Sequence, residues 1–197
     1  MPPKPKFTKE EVVDTALKLV SEEGIEALTA RELGARLGSS ARPIFTVFKN
    51  MEEVNQEVKA AAIKYYDSYA SKALHYTPVF KQYGMQMVLF SLEEPKLYQL
   101  LFMTENKDAT DFEDVFEGLG ESANICIEYI QKDYKLDLEE AHMLFRQMWI
   151  YTYGIGSLCA TKMCRFSKEE IADMLSYQFL GMIKLIKSGD IDKMRQQ

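Results

Sequence analysis

Metal ligands of the soft kind are scarce in this chain. It has two histidines, His75 and His142, and three cysteines, Cys126, Cys159 and Cys164, with no C-x-x-C pair among them. No zinc set of workable spacing can be drawn from these. An odd cysteine count without an export signal fits reduced, buried thiols better than a disulfide framework. Cys159 and Cys164 stand about one turn apart if a helix continues between them, which leaves a thiol switch as the alternative. Long apolar runs are missing too. The longest uncharged window is Gln147–Thr161, short of the ~20 residues that span a bilayer. The opening MPPKPKF has lysines and prolines but no apolar stretch, so it does not read as a signal peptide. No membrane association and a cytoplasmic location are the expectation.

Catalytic motifs are equally thin. Gly154-Ile155-Gly156-Ser157-Leu158 lacks both G-x-S-x-G and G-x-G-x-x-G spacing and sits within a helical pattern, where small residues serve helix packing. The acid pairs Glu93-Glu94 and Glu139-Glu140 flank helix starts, where carboxylates complement the dipole. No catalytic residue, metal or cofactor is expected, and an enzyme is not.

What is present is helix signal, repeated from end to end. Thr8 and Glu11 have capping-box spacing ahead of Val12, Val13, Ala16, Leu17 and Val20, and Gly24 stops that run. Asn50 and Glu53 open a long helix through Val54, Val58, Tyr65 and Tyr69 toward Leu74. Thr77-Pro78 starts one running to about Leu92, and Pro95 starts a short one. Phe112 to Tyr134 has helical spacing around Gly118 and Gly120, which mark a hinge or a close crossing or are simply tolerated. Leu138 to about Met163 is apolar on most sides, and Ser167 with Glu170 caps a last helix ending at Gly189. No segment reads as a strand, so the fold class is all-α.

One stretch has a more specific character. In TARELGARLGSSARPIFTVF, Thr29 and Glu32 again have capping-box spacing; Ala30, Leu33, Ala35 and Leu37 supply a packed face, and Gly38 suits a helix end. Ser39 and Ser40 are both possible caps for a second helix that buries Ile44, Val47 and Phe48 and turns Ala41, Arg42, Phe45 and Thr46 outward. Proline disfavours helical geometry in the residue before it, so either the helix starts late with Pro43 at its first position or Arg42 is mildly strained. From Thr29 to Asn50 four cations (Arg31, Arg36, Arg42, Lys49) face one anion (Glu32), inside a chain of net charge −6. Two short helices around a turn with local positive charge suit a helix-turn-helix, whose second helix enters the major groove. An ordinary helical hairpin with a solvated basic face is the other reading. Lys4 and Lys6 among the leading prolines are either a basic arm or a disordered flank.

Over residues 8 to 58 the chain resembles the TetR family of bacterial transcriptional regulators. The likeness lies in the amphipathic first helix, the E-x-G before Leu28, T-A-R-E-L-G-A-R-L-G, and S-x-x-x-I-F-x-x-F-K-N followed by E-E-V. Ser39 stands where the family usually has valine, Phe45 where it has a tyrosine that reaches a phosphate, and Met51 where it has a lysine. The resemblance favours the earlier start of the second helix, at Ser40, and implies a DNA-binding domain over residues 6–66 and an effector-binding and dimerisation domain over residues 67–197. It implies Arg31 and Arg42 as readers of bases or backbone, Ala41, Pro43, Phe45 and Thr46 as the groove-facing surface, and Thr29, Ser40 and Lys49 as phosphate contacts.

The second half is rich in aromatic and methionine side chains, which suit either a core or an adaptable apolar site. Because this half of TetR-like proteins implies an effector pocket, candidate lining residues are Phe80, Met87 and Phe90, then Phe102 and Phe116, then Tyr129, Phe145, Met148 and Trp149. The partners implied are operator DNA, a small hydrophobic or aromatic effector and a second copy of the chain, joined through the last two helices. The activity implied is that of a repressor released by its effector. A small-molecule sensor or carrier without DNA binding is the alternative, kept open by Phe45 and Met51.

Overall fold

The computed structural model describes residues 5–105, 111–112, 114–117 and 122–190, and among them there is no strand. The helices are α1 (Lys9–Glu23), α2 (Ala30–Arg36), α3 (Met51–Ala70), α4 (Val79–Glu93), α5 (Pro95–Phe102), α6 (Asp114–Glu117), α7 (Ser122–Tyr134), α8 (Leu138–Ala160) and α9 (Lys168–Ser188). Gly118 and Gly120, read as a hinge, a close crossing or simply tolerated glycines, lie outside the described residues.

Most helix starts follow the local chemistry. Thr8, Asp137 and Ser167 each accept from the backbone N–H three residues on, and Glu11, Glu140 and Glu170 reach back to complete the box. At Asn50 the pair is split. Its Oδ1 accepts from Glu53 N at 2.9 Å, while the Glu53 carboxylate accepts from Lys49 N at 2.7 Å. At Thr29 only half a box forms: its Oγ1 accepts from Glu32 N at 3.2 Å, and Glu32 turns instead to Arg36 at 3.6 Å. The arginine one turn away offers that carboxylate a charged partner in place of a backbone N–H.

Contacts divide the chain into two compact units: the chain up to Tyr66 with Glu94–Glu105, and Asp67–Glu93 with the chain from Asn106 onward. In the first unit, α1 packs on α2 and on α5. Val12, Ala16, Leu19, Leu33, Ile44, Val54 and Val58 are fully buried there. Tyr66 meets Phe102 edge-on at 5.2 Å, and Phe102 lies 4.8 Å from Tyr98. In the second unit α4 is central, packed by α7, α8 and α9, which explains why its buried residues lie on several sides. Gly84 permits one of these approaches, since a Cβ there would meet Thr152 Oγ1 at 3.5 Å and Leu175 at 3.6 Å.

The α8 helix stops at Ala160, earlier than the apolar pattern suggests. Lys162 takes a left-handed conformation (φ 60°) and Met163 N donates to Leu158 O at 3.0 Å, which closes the helix end. The helix therefore does not continue between Cys159 and Cys164, and the condition set for a thiol switch is not met. Cys126 and Cys159 are buried, and burial pushes both thiols above their ordinary range, which disfavours the reactive thiolate.

Candidate nucleic-acid interface

The geometry of the turn after α2 is fixed by backbone. Gly38 adopts a left-handed conformation (φ 62°), its N–H donates to Ala35 O at 3.0 Å, and Ser39 N donates to Gly34 O at 2.9 Å. This double bond is the Schellman pattern that satisfies the last carbonyls of a helix. The returning chain passes so close that a Cβ on Gly34 would lie 2.9 Å from Ala41 N and from Ser40 C. Glycine at 34 is therefore a steric requirement of the turn.

The segment beyond the turn departs from the expected second α-helix starting at Ser40. It is a 3-10 turn at Ile44–Thr46, with Pro43 (φ −62°, ψ −27°) at its cap. Ile44 N donates to Ala41 O, Thr46 N to Pro43 O and Val47 N to Ile44 O, each three residues back. Pro43 has no N–H to give to a helix begun at Ser40, and it restricts Arg42 before it. The Thr46 hydroxyl adds a 2.6 Å bond to Pro43 O that holds the tight turn. Ile44 and Phe48 still reach the core and Val47 is half-buried. Ala35, expected in the packed face of α2, is exposed, and its neighbour Gly34 is buried instead.

Three charged devices hold this scaffold. Arg36 pairs with Glu22 and Glu23 at the end of α1 and with Glu32 on its own helix. The pairing raises the Arg36 pKa and lowers that of Glu22, with the Arg36–Glu22 hydrogen bond the leading cause in both. Lys9 binds Glu53 at 2.7 Å and lies 5.0 Å from the centre of the Phe48 ring, tying α1 to α3. The Glu53 carboxyl is held below its ordinary range by Lys9 first and by the Lys49 backbone second. Lys6 donates to Ser39 Oγ at 2.9 Å, so the arm before α1 reaches the turn itself.

Against that scaffold the expected DNA-contacting residues can be placed. Thr29, Arg31, Ser40, Arg42, Thr46 and Lys49 are exposed, Phe45 is 44% exposed, and Ala41 and Pro43 are half-buried. Among the described residues, Arg31 and Arg42 have no ion-pair or hydrogen-bond partner, whereas Arg36 is committed to three carboxylates. Sequence reasoning did not single out Gly34 or the Lys6–Ser39 bond. The repeated L-G of the motif is the only signal for the former, and nothing local marks the latter.

The expected effector residues are distributed unevenly. Phe80, Met87, Phe90, Phe145 and Met148 are buried in the second unit, with Tyr129 and Trp149 half-buried. Phe80 lies 6.5 Å from Phe145 and 6.2 Å from Phe179, which itself lies 4.8 Å from Tyr134. Trp149 stacks on Tyr153 at 5.4 Å and meets Phe112 edge-on. Phe102 instead packs within the first unit, and the Phe116 side chain lies outside the described residues. Phe179 and Tyr134 belong to the aromatic cluster but were absent from the expectation, although Phe179 follows Leu175 by four residues on the apolar stripe of α9.

Residues 12–58 match the family model of bacterial regulatory proteins of the tetR family. The N-terminal region is a TetR-family helix-turn-helix domain. Solved TetR-family structures share the fold over 90–93% of the chain. A protein from Mesorhizobium loti assigned to the TetR-family transcriptional regulators superposes with a TM-score of 0.58 at 16% identity, covering 90% of this chain and 95% of that one. FadR of Thermus thermophilus, a TetR-family transcriptional repressor in complex with lauroyl-CoA, gives 0.58 at 15% identity over 92% of this chain and 94% of that one. The fatty acid degradation regulator FadR from Bacillus halodurans gives 0.54 at 12% identity over 93% and 97%. No curated protein matches the sequence significantly. Among the described residues, no helix is long and apolar enough to cross a membrane.

Proposed function

We propose that this protein is a cytoplasmic, homodimeric transcriptional repressor that leaves its operator when a small molecule binds the C-terminal helices. The observation that carries the reading is the contrast among the arginines around the turn: Arg36 is spent on Glu22, Glu23 and Glu32, while Arg31 and Arg42 stand exposed without partners among the described residues. Unpaired cations beside a helix-turn-helix turn meet phosphates and guanine edges with no internal pair to break. Thr29 supports the reading, since its hydroxyl accepts from Glu32 N and keeps its proton for a phosphate.

Dimerisation is supported by apolar side chains that the single chain leaves in water. Tyr177 is 71% and Leu180 59% exposed on α9, and Ile150 is exposed on α8. Gly154 and Gly181 lie on the same exposed faces, and a Cβ on either would meet nothing within 4 Å. Exposed apolar groups interleaved with glycine suit a close helix crossing with a second copy. Selection of bound fragments from random duplex DNA, followed by mobility shift, tests the reading. The outcome in favour is a pseudo-palindrome with half-sites about one helical turn apart. The 3-10 turn at Ile44–Thr46 favours a second reading, a small-molecule sensor that does not bind DNA, because it is shorter than a groove-reading helix. Failure to select any motif decides for that reading.

A further inference from the structure

The charge presented around the turn after α2 depends on what each cation is bound to. Arg36 is paired with Glu22, Glu23 and Glu32, and Lys9 with Glu53, so carboxylates offset both. Lys6 is held differently. Its ammonium donates to Ser39 Oγ at 2.9 Å, across 33 residues of sequence, and lies 5.1 Å from the centre of the Phe7 ring. Neither partner is charged, and among the described residues Lys6 makes no ion pair. A neutral anchor fixes where the ammonium sits and leaves its charge whole, whereas a carboxylate would offset it.

Both ends of this contact belong to fixed structure. Lys6 stands just ahead of the Thr8 box, in which Thr8 Oγ1 accepts from Glu11 N at 3.1 Å and Glu11 accepts from Thr8 N at 2.8 Å. Phe7, between them, is half-buried. Ser39 is half-buried too, and its backbone N–H closes the end of α2 by donating to Gly34 O at 2.9 Å. The hydroxyl that receives the lysine is therefore part of the turn and adjoins exposed Ser40, with exposed Arg42 just beyond. A serine hydroxyl that accepts from an ammonium keeps its own proton for donation. Together the two side chains offer an anion a charge and a hydrogen bond at one point.

We propose that Lys6 and Ser39 form a single phosphate contact of the DNA interface, in which Ser39 holds the ammonium at the turn and donates to the phosphate that the ammonium attracts. The proposal rests on the reading of the first unit as DNA-binding and extends that surface to the arm before α1. Lys6 supplies there the charge that Arg36, bound to its carboxylates, does not. A compact ammonium that already gives one N–H to Ser39 suits a phosphate oxygen better than the paired acceptors of a guanine edge.

The test uses the full-length protein and a fluorescein-labelled duplex of mixed sequence, since a phosphate contact carries no sequence information. Anisotropy titrations at several salt concentrations give the affinity and the slope of log K against log salt. Lys6→Ala is expected to weaken binding severalfold and to reduce that slope by about one unit per protomer on the duplex. Lys6→Arg keeps the charge and should keep the slope. Ser39→Ala should weaken binding as well, and adding Lys6→Ala to it should cost less than Lys6→Ala costs alone, because the two residues act as one contact. Circular dichroism melts confirm that each variant folds. Should Ser39→Ala not fold, the slopes of Lys6→Ala and Lys6→Arg decide. An unchanged slope in Lys6→Ala, strictly additive losses in the double variant, or a change in the selected operator motif on Lys6→Ala overturns the proposal while the unchanged protein still binds duplex. Absence of duplex binding by the unchanged protein would overturn the regulator reading, and the proposal with it.

Discussion

Ser21 near the end of α1 donates its hydroxyl to Glu94 Oε2 at 2.6 Å, immediately before α5 begins. The other oxygen of that carboxylate accepts from Tyr65 on α3 at 3.2 Å. One side chain thus joins three helices of the first unit. Glu94→Ala is expected to destabilise that unit by ~1–3 kcal/mol, the range for losing a charged acceptor, with most of the loss at the part-buried Ser21 donor because Tyr65 is exposed to water. Ser21→Ala, which removes one bond and leaves the Tyr65 contact, should cost less. Urea unfolding monitored by circular dichroism measures both, and equal stability of all three proteins would show the junction to be idle.

Gly34 gives a second prediction within the same unit. A methyl there would meet backbone at 2.9 Å on two atoms, Ala41 N and Ser40 C, neither of which can rotate away. Gly34→Ala is expected to cost about 1–3 kcal/mol by overpacking and to displace the segment carrying Arg42. Loss of melting temperature together with loss of operator binding is the expected pair of results.

The alkaline limit of stability should report on Tyr83. Burial first, then Cys126, Tyr129 and Asp67, push its pKa up to about 12 from the ordinary 10.0. Between those values the folded protein holds a proton that the unfolded chain has released, so stability falls as pH rises through the window and is fully present below it. Tyr134 and Cys126 are raised as well and act in the same direction. Tyr83→Phe should flatten the loss of unfolding free energy between pH 10 and pH 12 relative to the unchanged protein. A slope identical in the two would mean that Tyr83 titrates normally.

How far the sequence could be read depended on whether the governing interaction was local. Capping pairs at Thr8, Asn50 and Ser167 lie within four residues and were legible, as was Gly38 at a helix end. At Thr29 the spacing was right but Arg36, one turn on, drew Glu32 away. The second helix of the motif was misread because resemblance favoured a start at Ser40, while Pro43 lacked the N–H to sustain it. Ser21–Glu94 and Lys6–Ser39 join residues distant in sequence and carry no local signature. Phe102 was grouped with the effector candidates by its position in the chain, whereas contact places α5 with the N-terminal helices.

Arg42 and Lys49 are expected to fail differently on replacement by alanine. Arg42 precedes the 3-10 turn on the exposed side and has no partner, while Lys49 leads into α3 with its backbone N–H held by Glu53. Arg42→Ala should cost roughly 1–3 kcal/mol on the operator and relax preference at one position per half-site if it pairs with guanine. Lys49→Ala should weaken all sequences alike and reduce the salt slope by about one unit per lost phosphate contact, hence about two for a dimer. An unchanged selected motif for Arg42→Ala with a lowered salt slope would reassign Arg42 to the backbone.

The dimer can be tested without touching the protomer's core. At Gly181 on α9 an added Cβ would meet nothing within 4 Å among the described residues, yet the glycine directly follows Leu180 and stands four residues from Tyr177, both largely in water. Gly181→Leu should leave the folded protomer intact and add helix propensity, worth up to about 1 kcal/mol relative to glycine. In a close two-fold crossing the same side chain would meet its own copy or a neighbour's α8, so association should weaken. Tyr177→Glu places a charge on the same face and should act alike by a different cause. Sedimentation at micromolar concentration is expected to give a dimer for the unchanged protein and monomers for both variants, with helical circular dichroism preserved. A Gly181→Leu protein that remains dimeric while Tyr177→Glu dissociates would keep the interface on α9 but move the closest crossing away from residue 181. If both variants remain dimers, the exposed face of α9 is not the interface.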